Sequence, residues 1–356
     1  MSRSLVATLA TAARTAAHRT APRHPCGACA AASREPGGGL HTPGTEVLAD
    51  RPDGTVVRHG RVVAKAHAPD TDRAALDVRL AVAAHPLLHG VLLAPLQNAR
   101  ASVPPDPIPP TGAGNRTPSP HGLADEEPGH PPVTLWPHGT PVDPSDRDSA
   151  PWPEAGRLLA ALHRVPTDAL PGPLPAMRGP VKAARATARM RNAGVRGSAA
   201  DAVLRAWSQL PAWARAETPH PGPAEGPARL CHGDLHLGQL IRQDRTGDWL
   251  LIDVDDLGVG EPAWDLARPA AWYAAGLLDP EDWARFLAAY REAGGPAVPP
   301  EGDPWPQLDV PARALTVQTA ALALAKCTSE RRAPDEAELA MIGSCTRIAA
   351  LPPEFP

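Results

Sequence analysis

Leu230-Cys-His-Gly-Asp-Leu-His-Leu-Gly-Gln239 decides how this chain is read. His232, Asp234, His236 and Gln239 crowd into eight residues around Gly233 and Gly238. Burying that many polar groups is costly unless they have a task. A second stretch follows closely. Leu240-Ile-Arg242, a turn at Asp244-Arg-Thr-Gly247 and the apolar run Trp249-Leu-Leu-Ile-Asp-Val254 read as a hairpin that delivers Asp253 from a strand end. After it comes Asp255-Asp256-Leu-Gly-Val-Gly-Glu-Pro-Ala-Trp-Asp-Leu-Ala267.

Phosphoryl transfer from ATP needs a carboxylate to orient the acceptor hydroxyl, oxygen ligands for magnesium and a cation on the phosphates. Magnesium takes one or two carboxylates with phosphate oxygens and water. Asp234, Gln239, Asp253 and Lys65 meet these demands, and the spacing from Asp234 to Gln239 parallels the kinase catalytic loop H-R-D-x-x-x-x-N, with Gln in place of Asn. A strand-end cap is the ordinary alternative for Asp253, and edge protection the ordinary one for Lys65.

The paired segments resemble the aminoglycoside phosphotransferase and choline kinase superfamily. Its pattern H-G-D-x-x-x-x-N, then I-D-x-x-x-x-G-x-G-x-P-x-x-D-L-A, is matched at His232-Gly-Asp234, Ile252-Asp253, Gly258-Val-Gly260 and Pro262-Ala-Trp-Asp265-Leu-Ala267. The form H-G-D-L-H-L-G-Q is similar to the loop of bacterial maltokinases. The resemblance implies an α+β, bilobal protein-kinase-like fold, with a small antiparallel-sheet lobe, a larger helical lobe and nucleotide in the cleft between them. It implies Asp234 as catalytic base, Gln239 and Asp253 as magnesium ligands, and Lys65 on the α- and β-phosphates of ATP. His232 would brace the loop, and Asp265 would hold it through backbone hydrogen bonds. Three departures stand out. Gln239 replaces Asn, no G-x-G-x-x-G precedes Lys65, and the helix after Lys65 lacks a glutamate, leaving Asp72 or Asp77 as its partner.

Outward from this centre the chain divides into three parts. Residues 1–44 read as an N-terminal extension, a weak helix and a Pro/Gly/Cys-rich disordered tail. Residues 45–138 read as a sheet lobe. Its strands fall at 45–50, 55–58 and 61–67, with a turn at Pro52-Asp53-Gly54, a fourth strand at Val91–Leu96 and a fifth at Val133–Trp136. A helix capped by Asp70-Thr71 carries Leu76, Leu80 and Ala83, and a disordered insertion covers about 98–132. Residues 139–356 read as a helical lobe with the catalytic loop and acceptor pocket. Helices are expected at 152–163, at 182–215 with a break at Gly194–Gly197, from Asp279-Pro280, and near 309–331 and 335–351. The stripe Trp283, Phe286, Leu287 and Tyr290 reads as core.

Composition narrows the function. A net charge of -4 with a pI near 6.4 provides no basic footprint for nucleic acid. Lysine occurs only at Lys65, Lys182 and Lys326, so each is worth a question. Five scattered cysteines argue against a disulfide framework, and Cys26-Gly-Ala-Cys29 lacks the second pair of a zinc site. No apolar run reaches the roughly 18–20 residues a membrane span needs, so a cytoplasmic enzyme is expected. Two rivals use the same residues. His232-x-Asp234-x-His236 resembles a metal-hydrolase cluster, and a catalytically weak or inactive kinase-like nucleotide-binding protein would keep the fold without turnover. The acceptor is expected to be a small hydroxyl compound of aminoglycoside, amino-alcohol or sugar type. Between Glu261 and Pro356 acids outnumber bases 14 to 8, which slightly favours a cationic one.

Overall fold

The structure is a computed structural model that describes residues 3–20, 44–51, 54–96, 131–219 and 229–351. The Cys26/Cys29 pair, the Pro52-Asp53 part of the first turn and nearly all of the 98–132 insertion lie outside the described residues. The chain divides into two units. One comprises Met1–Asp77 and Leu93–Gly139, the other Val78–Leu92 and Thr140–Pro356.

The first unit is built on an antiparallel sheet of order β1-β2-β3-β4: β1 (Thr45–Arg51), β2 (Gly54–His59), β3 (Val62–His67) and β4 (Val133–Pro137). Period-two alternation sends Val62, Ala64 and Ala66 of β3 to one face, with Val57 of β2 and Val133 and Leu135 of β4. Against them lies α1 (Arg3–Thr20), whose Leu9, Ala13 and Ala17 recur every fourth residue on one buried stripe. Residues 3–20, read from sequence as a weak helix in an extension, thus supply the helical half of this core.

The strand expected at Val91–Leu96 is not in the sheet. That segment makes one isolated parallel bridge, Leu92 with Leu251, and its buried side chains account for the apolar run. Pro95 has no N–H to give a ladder, which ends pairing there. The fourth strand of the sheet is β4, the segment expected to be the fifth. The helix after β3, α2 (Arg73–Ala83), buries Leu76, Leu80 and Ala83 as its periodicity predicts.

In the second unit short strands frame the loops and helices fill the remainder. The strands are β5 (Thr140–Pro141), β6 (Arg229–Cys231), β7 (Leu240–Arg242), β8 (Trp249–Leu251) and β9 (Gly258–Gly260), in sheets of order β5-β7-β8 and β6-β9. The helices are α3 (Trp152–Arg164), α4 (Gly179–Asn192), α5 (Ser198–Ser208), α6 (Ala263–Ala274), α7 (Pro280–Glu292), α8 (Trp305–Glu330) and α9 (Glu336–Ala349). The α4/α5 break falls at the expected glycines. Asp279 caps α7 by accepting from Glu281 N at 2.8 Å, and Trp283, Phe286, Leu287 and Tyr290 are buried. No helix among the described residues is long and apolar enough to cross a membrane.

Candidate active site

Two short ladders hold the two motif segments side by side. β6 pairs with β9 through Leu230 and Val259, and β7 pairs with β8 through Ile241 and Leu250, both antiparallel. Residues 232–239 run from β6 to β7, and residues 252–257 return from β8 to β9. Both loops are therefore fixed at both ends. Two further bonds join them in the middle: Ile252 N donates to Gln239 O at 2.9 Å, and His232 Nε2 donates to Ile252 O at 2.8 Å. A carbonyl only accepts, so His232 carries its proton on Nε2.

Gly233 is required by this arrangement. Its φ is +84°, and a Cβ there would sit 2.4 Å from the carbonyl oxygen of Asp256. The same turn is gripped by Asp265 on the first turn of α6. The Asp265 carboxylate accepts from His232 N at 2.6 Å and from Gly233 N at 2.7 Å. It is itself completely buried and bonded to His163 Nε2 at 2.9 Å, while His163 Nδ1 lies 2.8 Å from the Tyr290 hydroxyl. Ala297 N donates to that hydroxyl, so its proton goes to His163 Nδ1 and the imidazole gives its Nε2–H to Asp265. A chain of satisfied hydrogen bonds thus runs from the loop after α7 to the backbone beside Asp234.

Asp234 emerges from this turn between two cations. Lys182 Nζ of α4 lies 2.7 Å from Oδ2 and Arg268 of α6 lies 2.5 Å from Oδ1. Burial by itself would raise the Asp234 pKa, yet Lys182 and Arg268 together bring it down to about 2. Lys182 also reaches Asp256 Oδ2 at 2.6 Å, and Arg178 stands 3.5 Å from its other oxygen. Burial pushes the Asp256 carboxyl up even so. Lys182 would be lowered by its own burial, but Asp256 and Asp234 hold it above its usual range. The result is an ion network in which Asp234 stays ionised. Each of its oxygens keeps a lone pair beyond the one its cation uses.

Asp253 sits where β8 ends, at a left-handed φ of +65°, and its Oδ1 accepts from Asp255 N at 3.4 Å. A non-glycine residue in that region costs local energy, and such strain gathers at functional sites. Gln239 closes the turn Leu237–Gln239 and is buried. In the first unit, half-buried Lys65 lies on β3 between β2 and β4, so edge protection does not explain it. The strand alternation turns Lys65 away from the α1 face. Asp72 accepts from Ala75 N at 3.0 Å and so starts α2.

The profile of the phosphotransferase enzyme family matches residues 56–305, most of the chain. The chain belongs to that family. It is thereby a small-molecule kinase, as the motifs implied. No curated protein matches it by sequence. Among solved structures, a choline/ethanolamine kinase family protein from Mesorhizobium loti is similar at 16% identity with a TM-score of 0.53, covering 92% of this chain and 95% of the other. A choline kinase from Cryptosporidium parvum Iowa II has 11% identity and a TM-score of 0.50, covering 86% of this chain and 89% of its own. A spectinomycin phosphotransferase in complex with ADP and spectinomycin has 12% identity and a TM-score of 0.50, covering 86% and 92%. These likenesses show the α+β, kinase-like fold.

In this phosphotransferase the rival metal-hydrolase cluster does not assemble. His232 is spent on Ile252 O, and His236 Nδ1 accepts from Gly238 N at 3.0 Å. Burial, with Arg268 nearby, lowers the His236 pKa to about 4, so it is a neutral imidazole. Among the described residues the one trio close enough to share a metal is His163, Cys231 and Asp265. Its His–Asp pair already serves the loop, and burial, together with the Asp265 carboxylate, pushes the Cys231 thiol well up. Sequence reasoning missed Lys182 and Arg268 as partners of Asp234, and Asp256 as the second carboxylate on Lys182. The scarcity of lysine was the one signal pointing to Lys182.

Proposed function

We propose that this phosphotransferase moves the γ-phosphate of ATP, with magnesium, to a hydroxyl of a small molecule. The observation that carries the reading is Asp234, held as a carboxylate by Lys182 and Arg268 on a loop tied to the Asp253 segment. The acceptor hydroxyl donates to a spare lone pair of Asp234, which orients it for in-line attack and receives its proton. A carboxylate with a pKa of about 2 is a weak base, so orientation is its larger contribution.

The donors near Asp253 suit magnesium, since a carboxylate and an amide oxygen are hard ligands of the type it takes. Gln239 and Asp253 would hold it, their segments joined by the Gln239–Ile252 backbone bond. Held there, it would supply positive charge to offset that of the phosphates. Lys65 contacts the α- and β-phosphates. The sheet unit is read as the nucleotide-binding lobe and the helical unit as the source of the loop and the acceptor pocket.

Thermal unfolding with ATP, with magnesium and with both tests the donor half. Ligand that binds the folded state alone raises Tm by an amount set by affinity. A rise that needs both components and is lost in Asp253→Ala is expected. Absence of any shift leaves an inactive kinase-like protein as the better reading.

A further inference from the structure

Beside Asp234 lies a small cavity lined by Trp264 and Arg268 of α6 and by Leu315 and Gln318 of α8. Trp264 and Arg268 are four residues apart and Leu315 and Gln318 three, so each pair presents one helix face to the same space. Three polar atoms of these side chains are buried with no hydrogen-bond partner: Trp264 Nε1, Arg268 Nε and Gln318 Oε1. Trp264 and Gln318 are each only 4% exposed. Orphaned buried polar atoms are rare and costly in folded proteins. Here three of them belong to residues that line one cavity, next to the carboxylate proposed to receive the acceptor.

Their chemistry specifies what would satisfy them. Two are donors and one is an acceptor, which is the complement of hydroxyl groups, since a hydroxyl both accepts and donates. The charges point the same way. Asp234 is the one carboxylate among the residues lining the cavity, and Lys182 and Arg268 already pair with it, so an ammonium entering there finds no free counter-charge. No acid of the stretch from Glu261 to Pro356 lines the cavity. Asp279 and Asp335 cap helices, while Asp282, Asp309 and Glu338 pair with Arg285, Arg313 and Arg332.

We propose that the acceptor is an uncharged, hydroxyl-rich molecule of sugar or polyol type, whose reacting end is held by Gln318 and Trp264. This deepens the proposed function and rests on it. Gln318 sets specificity by accepting from a hydroxyl neighbouring the one that reacts. Trp264 Nε1 and Arg268 Nε donate to acceptor oxygens.

ADP release with Mg–ATP is measured against two acceptor pools. One holds glucose, maltose and myo-inositol, the other glucosamine, kanamycin, choline and ethanolamine. Turnover above the acceptor-free rate is expected with the neutral pool alone. For the accepted compound, Gln318→Leu should raise KM about tenfold with kcat within about twofold, the loss of one hydrogen bond made equally in ground and transition states. Trp264→Phe, which keeps a ring and removes the N–H, should act the same way, with melting curves checking that both variants fold. Turnover with the amine pool, or an unchanged KM in both variants, overturns the proposal. So does silence from the neutral pool in an enzyme whose Tm responds to Mg–ATP, which leaves phosphotransfer standing. An enzyme whose Tm ignores Mg–ATP overturns the underlying function as well.

Discussion

Asp234 shows at the scale of one residue how the fold sets chemistry. Its burial and its two cations oppose each other, and the cations win. Asp234→Asn keeps the shape and removes the charge. Turnover should fall by at least about a hundredfold, in the range of a lost positioned acid–base group, while the Mg–ATP thermal shift persists. Lys182→Met tests the balance itself. With Lys182 gone, burial is opposed by Arg268 alone, so the acid limb of the kcat/KM profile should move to higher pH. A limb that stays put would remove Lys182 from control of Asp234. The stability sign follows from the same depressed pKa. Asp234 contributes stability above its unfolded value of about 3.9 and loses it as pH falls toward 2. Asp234 and Asp253 could be singled out from sequence as candidates because their motifs are contiguous. Lys182 and Arg268 could not, because each meets Asp234 from a separate helix and no local spacing encodes that meeting.

At the scale of elements, the legible features were those with local causes. The β7–β8 hairpin followed from its turn, α7 from its Asp279-Pro280 start, and the α4/α5 break from Gly194 and Gly197. Val91–Leu96 was misread because a buried extended run has the composition of a strand whether or not a neighbour pairs with it. Close helix approach is likewise invisible without coordinates. Gly156 of α3 lies against α7 so tightly that an added Cβ would stand 2.4 Å from Phe286 O and 3.0 Å from Tyr290 N. Gly156→Ala should therefore destabilise the protein by about 1–3 kcal/mol, the usual cost of overpacking, even though alanine favours helix. Urea unfolding would measure it. No loss of stability would mean that α3 and α7 shift apart freely, which the edge-to-face contact of Trp152 with Phe286 argues against.

For the whole molecule the question is how far its two units unfold independently. The first unit owes its apolar core to both α1 and the sheet, with Leu9 and Ala13 fully buried against Val57 and Ala64. A sequence reading cannot see this, because α1 is separated from β1 by a long Pro/Gly-rich stretch and its alanine stripe looks weak in isolation. Leu9→Ala removes a fully buried side chain and should cost about 2–5 kcal/mol locally. Amide hydrogen exchange reads where that cost is felt. Cores of separate units open separately when few contacts bind them. Protection is expected to fall across α1 and β2 to β4 while α3 and α7 keep theirs. An equal fall in all of them would make the two units one cooperative body, in which the α1 stripe supports the Asp234 loop as much as it supports the sheet.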